Sequence, residues 1–213
     1  MKTDSVFEIV EAVEPAPHKD AGEEYAKYVG DVLDSLWAIL GHLKKCVLSH
    51  DRHVLELAQK TCEVGIRTSL PLAEKIIKKK ERTALDKQFL EYLPALQKIG
   101  IAADDLVNAV STKVKTDTVF TDKALNDISE AISLTRSLIR DARDARLTKN
   151  TDFQGFVREK AKEIHDMIDE CDLEHEHRLI SGTCSPKASF LYIDIMSSLK
   201  KIVHELVSLS EKV

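Results

Sequence analysis

Leu191, Ile195, Leu199, Ile202, Leu206, Leu209 and Val213 recur at spacings of 4, 4, 3, 4, 3 and 4. Successive residues of an α-helix turn by about 100°, so these side chains share one face of a helix some six turns long. A stripe that regular has one use, which is burial against other helices. Ser185-Pro186 precedes it. Serine accepts from freed N–H groups at a helix start, and proline suits the first helical position.

A second stripe repeats the pattern. Phe89, Leu93, Leu96, Gly100, Ala103, Val107 and Val110 are spaced 4, 3, 4, 3, 4 and 3, with Pro94 inside the run as an expected kink or frayed start. The two stripes also match each other. A shift of 103 residues lays Phe89 on Tyr192, Glu91 on Asp194, Leu96 on Leu199, Ile99 on Ile202 and Ile76-Ile77 on Leu179-Ile180. A shift of 99 lays Leu48 on Leu147, and a four-residue insertion reconciles the two. The order of these matches predicts a duplicated three-helix unit. Helical segments are expected over 22–49, 51–79, 83–114, 121–147, 151–182 and 186–212, with 1–21 as a tail or linker. The expected fold is all-α: two tandem three-helix bundles, 22–114 and 121–212.

Composition supports long helices. Only 7 Gly and 5 Pro occur in 213 residues, and aromatics are 5%. A net charge of -5 offers no general basic face for nucleic acid. No apolar run of membrane-spanning length is present, and the acids within the first apolar stretch argue against a signal peptide. Cys46, Cys62, Cys171 and Cys184 form no CxxC pair, so reduced thiols and a cytoplasmic setting are expected.

Residues 174–186, EHEHRLISGTCSP, raise the question of a metal site. His175 and His177 diverge by about 200° on a helix and cannot share an ion there. Glu170, Glu174 and His177 do share a face, which is expected to be a solvated acidic stripe at a helix end. Ser181-Gly182 is the expected stop, with Cys184 a small buried side chain in the turn. The run Lys75, Lys78, Lys79, Lys80 and Arg82 is expected to solvate a turn. No glycine-rich phosphate loop, HExxH or nucleophilic triad occurs, and no arginine clamp for phosphate is visible.

The segment HRLISGTCSPKASFLYIDIMSSLKKIVHELVSLSE resembles the closing part of PhoU-type domains, nearest to the cytoplasmic PhoU-type domain of bacterial sodium/phosphate cotransporters. His177, Arg178, Leu179, Gly182, Cys184, Ser185, Pro186, Asp194, Leu199 and Ile202 carry the resemblance, with LQKIG at 96–100 as an echo. The resemblance implies a regulatory module of phosphate transport, contacting a transporter or sensor protein, either peripheral to the inner face of the membrane or tethered to a membrane domain. It implies no catalysis, and a homodimer is a further expectation, with Trp37 and Phe156 as apolar residues outside the main stripes.

The family also implies an acid-x-x-x-Asp pair for metal in each repeat. Here those positions hold Gln97 and Ile101, and Lys200 and His204. Lysine repels a cation and isoleucine has no lone pair to offer. Glu91, Asp194 and His204 remain as metal candidates, for iron, zinc or manganese. The alternative function is therefore a metal-binding helical protein or a metal-dependent hydrolase.

Overall fold

A computed structural model describes residues 19–67, 70–148 and 151–211. The helices are α1 (Lys19–Ser49), α2 (Arg52–Arg67), α3 (Leu70–Ile77), α4 (Ala84–Lys115), α5 (Asp122–Thr148), α6 (Thr151–Ile180) and α7 (Pro186–Glu211). No strand occurs among the described residues. The segment expected over 51–79 holds both α2 and α3, and residues 68 and 69 between them lie outside the described residues. Residues 1–18 of the expected tail lie outside them too, while Lys19 already belongs to α1. α4 continues through Pro94.

Local chemistry sets the helix ends. Thr83 and Asp86 form a reciprocal capping box: the Asp86 N–H donates to Thr83 Oγ1 at 3.1 Å and the Thr83 N–H to Asp86 Oδ2 at 2.9 Å. Asp51 Oδ1 accepts from the His53 and Val54 N–H groups and so starts α2. α6 stops at Gly182, whose φ of +73 is left-handed backbone that glycine adopts without a Cβ clash. The following N–H groups of Thr183 and Cys184 turn back to the Arg178 carbonyl. Ser185 Oγ then accepts from Ala188 N–H at 3.2 Å to start α7. Cys184 is buried in that turn.

α1, α2 and α4 pack on one another, as do α5, α6 and α7, and α3 leans on α4. α4 against α7, the most extensive pairing, and α1 against α5 join the two bundles into one hydrophobic core. Both joining pairs are antiparallel. Lys98 reaches Glu205 while Asp105 reaches Lys201, and Asp34 meets Arg143 while Lys44 meets Ser133. Leu96, Ile99, Leu199 and Ile202, matched by the 103-residue shift, are all buried here. Each fully buried residue of this kind contributes about 1.5–3 kcal/mol. α1, α4, α7 and α5 thus form a central four-helix body, with α2 and α6 on its flanks. One face presents the α4–α7 pair and the opposite face the α1–α5 pair.

Candidate functional site

The α4–α7 face is where the sequence placed its ligand positions. α4, α6 and α7 enclose a shallow pocket of about 440 Å³ there. Exposed Ile101 and buried Ala102 line it together with Lys98, His165, Lys200, Lys201, His204 and Glu205. Glu205 is buried, and Lys98 donates to it at 3.0 Å. Lys200 pairs with Asp169, and Lys201 lies 3.8 Å from Asp105. His204 Nε2 is 4.0 Å from Glu205. Burial, helped by the ammonium of Lys200, pushes the His165 imidazole below its usual range. The degraded positions Ile101, Lys200 and His204 therefore converge on one pocket. Its three ammonium groups are each paired with a carboxylate of this chain, so an acidic side chain of a partner would have to compete for them.

The three metal candidates do not converge. Asp194 is exposed on α7 across from Asp105 and Asn108 of α4. Glu91 is exposed nearly five turns earlier on α4, about 25 Å along the axis. Their equivalence in the two repeats is the reason. Equivalent positions on antiparallel helices lie at opposite ends unless they fall near the crossing point. His204 is ten residues from Asp194 on α7, about 15 Å along the axis. Among the described residues no group of three or more His, Cys, Asp or Glu side chains is placed to hold an ion.

Sequence reasoning missed two buried polar clusters, one in each bundle. In the first, Asp86 accepts from the Tyr25 hydroxyl and, at 2.7 Å, from Lys79. In the second, Asp127 accepts from Tyr192 at 3.3 Å, Arg178 at 3.2 Å and Lys123 at 3.1 Å. Each joins an acid, a tyrosine and a cation from different segments. The acid and the tyrosine have exchanged places: tyrosine on the first helix and acid on the last in one bundle, the reverse in the other. Lys79, expected to solvate a turn, instead turns inward to Asp86. Arg178 of the family-like HRL motif ties α6 to α5.

His175 belongs to the second cluster. It continues the buried stripe Val157, Ala161, Ile164, Ile168, Cys171 of α6 at spacings of 4, 3, 4, 3 and 4. That was the available signal. His175 stacks on Tyr192 with ring centroids 4.2 Å apart, and neither ring nitrogen has a hydrogen-bond partner among the described residues. Glu170, Glu174 and His177 stay exposed, as expected, with Glu174 paired to Lys123. Burial, and Arg178 beside it, push the His175 imidazole down. The unfolded chain thus takes up a proton more readily than the native one. Stability contributed here is full above about pH 6.5 and falls as pH drops below it. His175→Phe keeps the stack and removes two buried nitrogens. It is expected to raise unfolding free energy by about 1–2 kcal/mol and to flatten the loss between pH 6.5 and 5. Urea unfolding at several pH values checks this. A variant less stable than the parent would show that the nitrogens are satisfied.

The cysteines offer no nucleophile. All four are buried, and burial pushes the Cys46 and Cys171 thiols up to about 11.

No family model and no curated protein matches the sequence. Two solved structures from Shewanella oneidensis MR-1 match the fold. One, described as a PhoU-like phosphate regulatory protein, aligns with a TM-score of 0.58 at 11% identity, over 88% of this chain and 96% of that one. The other, described as a PhoU-like protein, aligns with a TM-score of 0.57 at the same identity and coverage. With six expected segments, an internal shift of 103 residues and two bundles sharing one core, the chain has the all-α fold of the PhoU-like regulatory proteins.

Proposed function

We propose that this chain is a regulatory module of phosphate homeostasis that acts by contact with a phosphate transporter or sensor protein, not by catalysis. The fold it shares with a phosphate regulatory protein carries the reading. The α4–α7 pocket supports it, because exposed Ile101 and three exposed or half-exposed lysines whose ion pairs can be exchanged would suit an acidic docking segment. No described helix is long and apolar enough to cross a membrane, and the proposed contact is one made at the inner membrane face or from a tether. A second copy of the chain is the competing partner, and it would meet a surface outside that pocket. The apolar pair Phe153 and Phe156 on α6, 38% and 50% exposed, is where light scattering on a Phe156→Ser variant would look for it.

Lys200→Glu with Lys201→Glu tests the reading. The pairs broken are exposed or half-exposed, each contributing about 0–1 kcal/mol, so the variant should stay folded. Co-purification with the transporter is expected to be lost. Phosphate uptake is expected to match that of a strain lacking the chain. Wild-type uptake and co-purification in the variant would remove this pocket from the mechanism. An uptake rate that ignores deletion of the whole chain would remove the proposed role.

A further inference from the structure

The opposite face carries a different chemistry. Trp37 of α1 is covered by two guanidiniums of α5. Arg136 lies 3.8 Å from the indole centroid and Arg140 4.9 Å. Arg136 Nε donates to the Trp37 carbonyl at 3.1 Å, which fixes the group in place. Gly41 leaves the room: a Cβ there would come within 3.1 Å of Arg136 Nη2. One turn along the seam, Lys44 donates to Ser133 Oγ at 2.6 Å. Among the described residues no carboxylate pairs with Arg136, Arg140 or Lys44. Their neighbours on α5 are different: Arg143 pairs with Asp34, and Asp141 with Lys160.

Arg136, Arg140 and Lys44 are thus three neighbouring cations that no carboxylate among the described residues compensates. Two like charges four residues apart on a helix repel. Stacking on one indole offsets part of that cost and holds both forks. The arrangement is preorganised for an anion that guanidiniums can grip through two oxygens at once. Ser133 to Arg140 spans two helical turns, about 10 Å. One orthophosphate cannot reach from Lys44 to Arg140. A diphosphate places about three negative charges on a short chain and matches three cations. A carboxylate brings one charge per group.

We propose that Trp37, Arg136, Arg140 and Lys44 form a binding site on the α1–α5 seam for a small anion carrying at least two phosphoryl groups. The site lies on the face opposite the proposed partner pocket and needs no partner to be read. Failure here therefore leaves the docking reading untouched.

Trp37 is the sole tryptophan of the chain and reports occupancy directly. The full chain would be titrated with pyrophosphate, tripolyphosphate, orthophosphate and citrate at matched ionic strength, following Trp37 emission and heat. Saturable responses to pyrophosphate and tripolyphosphate are expected, at least tenfold tighter than to orthophosphate or citrate. Arg140→Gln should weaken them at least tenfold with helicity unchanged. Arg143→Gln, which removes a guanidinium already paired to Asp34, should weaken them less than twofold. Arg136→Lys keeps the charge but loses the fork, and should weaken them as well. The proposal is overturned by no saturable response, by citrate or orthophosphate binding equally well, or by equal losses in Arg140→Gln and Arg143→Gln.

Discussion

Asp86→Ala is expected to cost about 3–5 kcal/mol of unfolding free energy, the largest loss any single side chain outside the apolar core should give. Burial would push this carboxyl up. The Lys79 ammonium, the Tyr25 hydroxyl and the Thr83 N–H outweigh it and hold the group well below the usual carboxylate range. Alanine leaves the Lys79 ammonium and the Tyr25 hydroxyl facing a fully buried position with no acceptor. It also removes half of the capping box that starts α4, which contributes about 1 kcal/mol of the total. A domain of this size is stable by about 5–15 kcal/mol, so the loss is a large fraction. The melting temperature should fall by about 6–20 °C. The pH dependence has a definite sign. A carboxyl with a depressed native pKa stabilises fully above about pH 4 and loses that contribution as pH falls further. The variant and the parent should therefore converge in stability below that pH. Chemical denaturation followed by far-UV circular dichroism measures both. A loss under about 1 kcal/mol would show that Lys79 and Tyr25 find other partners.

The cluster around Asp86 marks the limit of what the sequence discloses. The apolar stripes of α4 and α7 are set by spacing along one helix, so they are legible from the chain alone. So are Gly182, Ser185 and Pro186, because a helix end is a matter of neighbouring residues. Asp86, Lys79 and Tyr25 come from three separate segments, and only packing brings them together. A lysine run beside a turn has no local feature that tells Lys79 from Lys78, which stays at the surface with Glu74. His175 was legible, since it continues a stripe that runs from Val157 at helical spacing, although Glu174 and Glu176 on either side of it belong to the charged faces of α6.

The candidate site shows the same division. That Lys200 and Ile101 cannot serve a cation follows from residue type alone. That they meet in one pocket depends on α4 and α7 crossing in antiparallel fashion, which also sends Glu91 and Asp194 to opposite ends. The arginine pair on Trp37 was invisible for a similar reason. Arg136 and Arg140 sit in a stretch of α5 rich in both signs of charge. What distinguishes them is Trp37, 99 residues earlier in the chain, whose indole they cover and to whose backbone carbonyl Arg136 donates.

Lys113→Met should stabilise the protein, against the usual direction of a core substitution. Lys113 is fully buried near the end of α4. Its ammonium lies 2.8 Å from His50 Nε2 and 5.5 Å from the Phe120 ring centroid, and no carboxylate pairs with it among the described residues. Burial pushes the amine from its usual 10.5 down to about 8, with Cys46 and Asp117 resisting the shift. An amine that ionises less readily in the native state destabilises that state while the pH keeps it charged. A drop of this size corresponds to a cost on the order of 3 kcal/mol at pH 7. Methionine fills a similar volume with no charge to desolvate. Some of the gain is offset, because His50, held at a positive φ of 54, loses its nearest hydrogen-bonding contact. The net expectation is about 1–3 kcal/mol in favour of the variant at pH 7. The parent recovers as the amine loses its proton, so the advantage should shrink as pH rises from 8 towards 10.5. Paired urea unfolding of parent and variant across that range separates this from simple repacking, which would give a gain independent of pH. A variant less stable than the parent at pH 7 would mean that the ammonium and His50 together hold the turn between α1 and α2 against the end of α4. The buried lysine would then be a structural tie, not a desolvated liability.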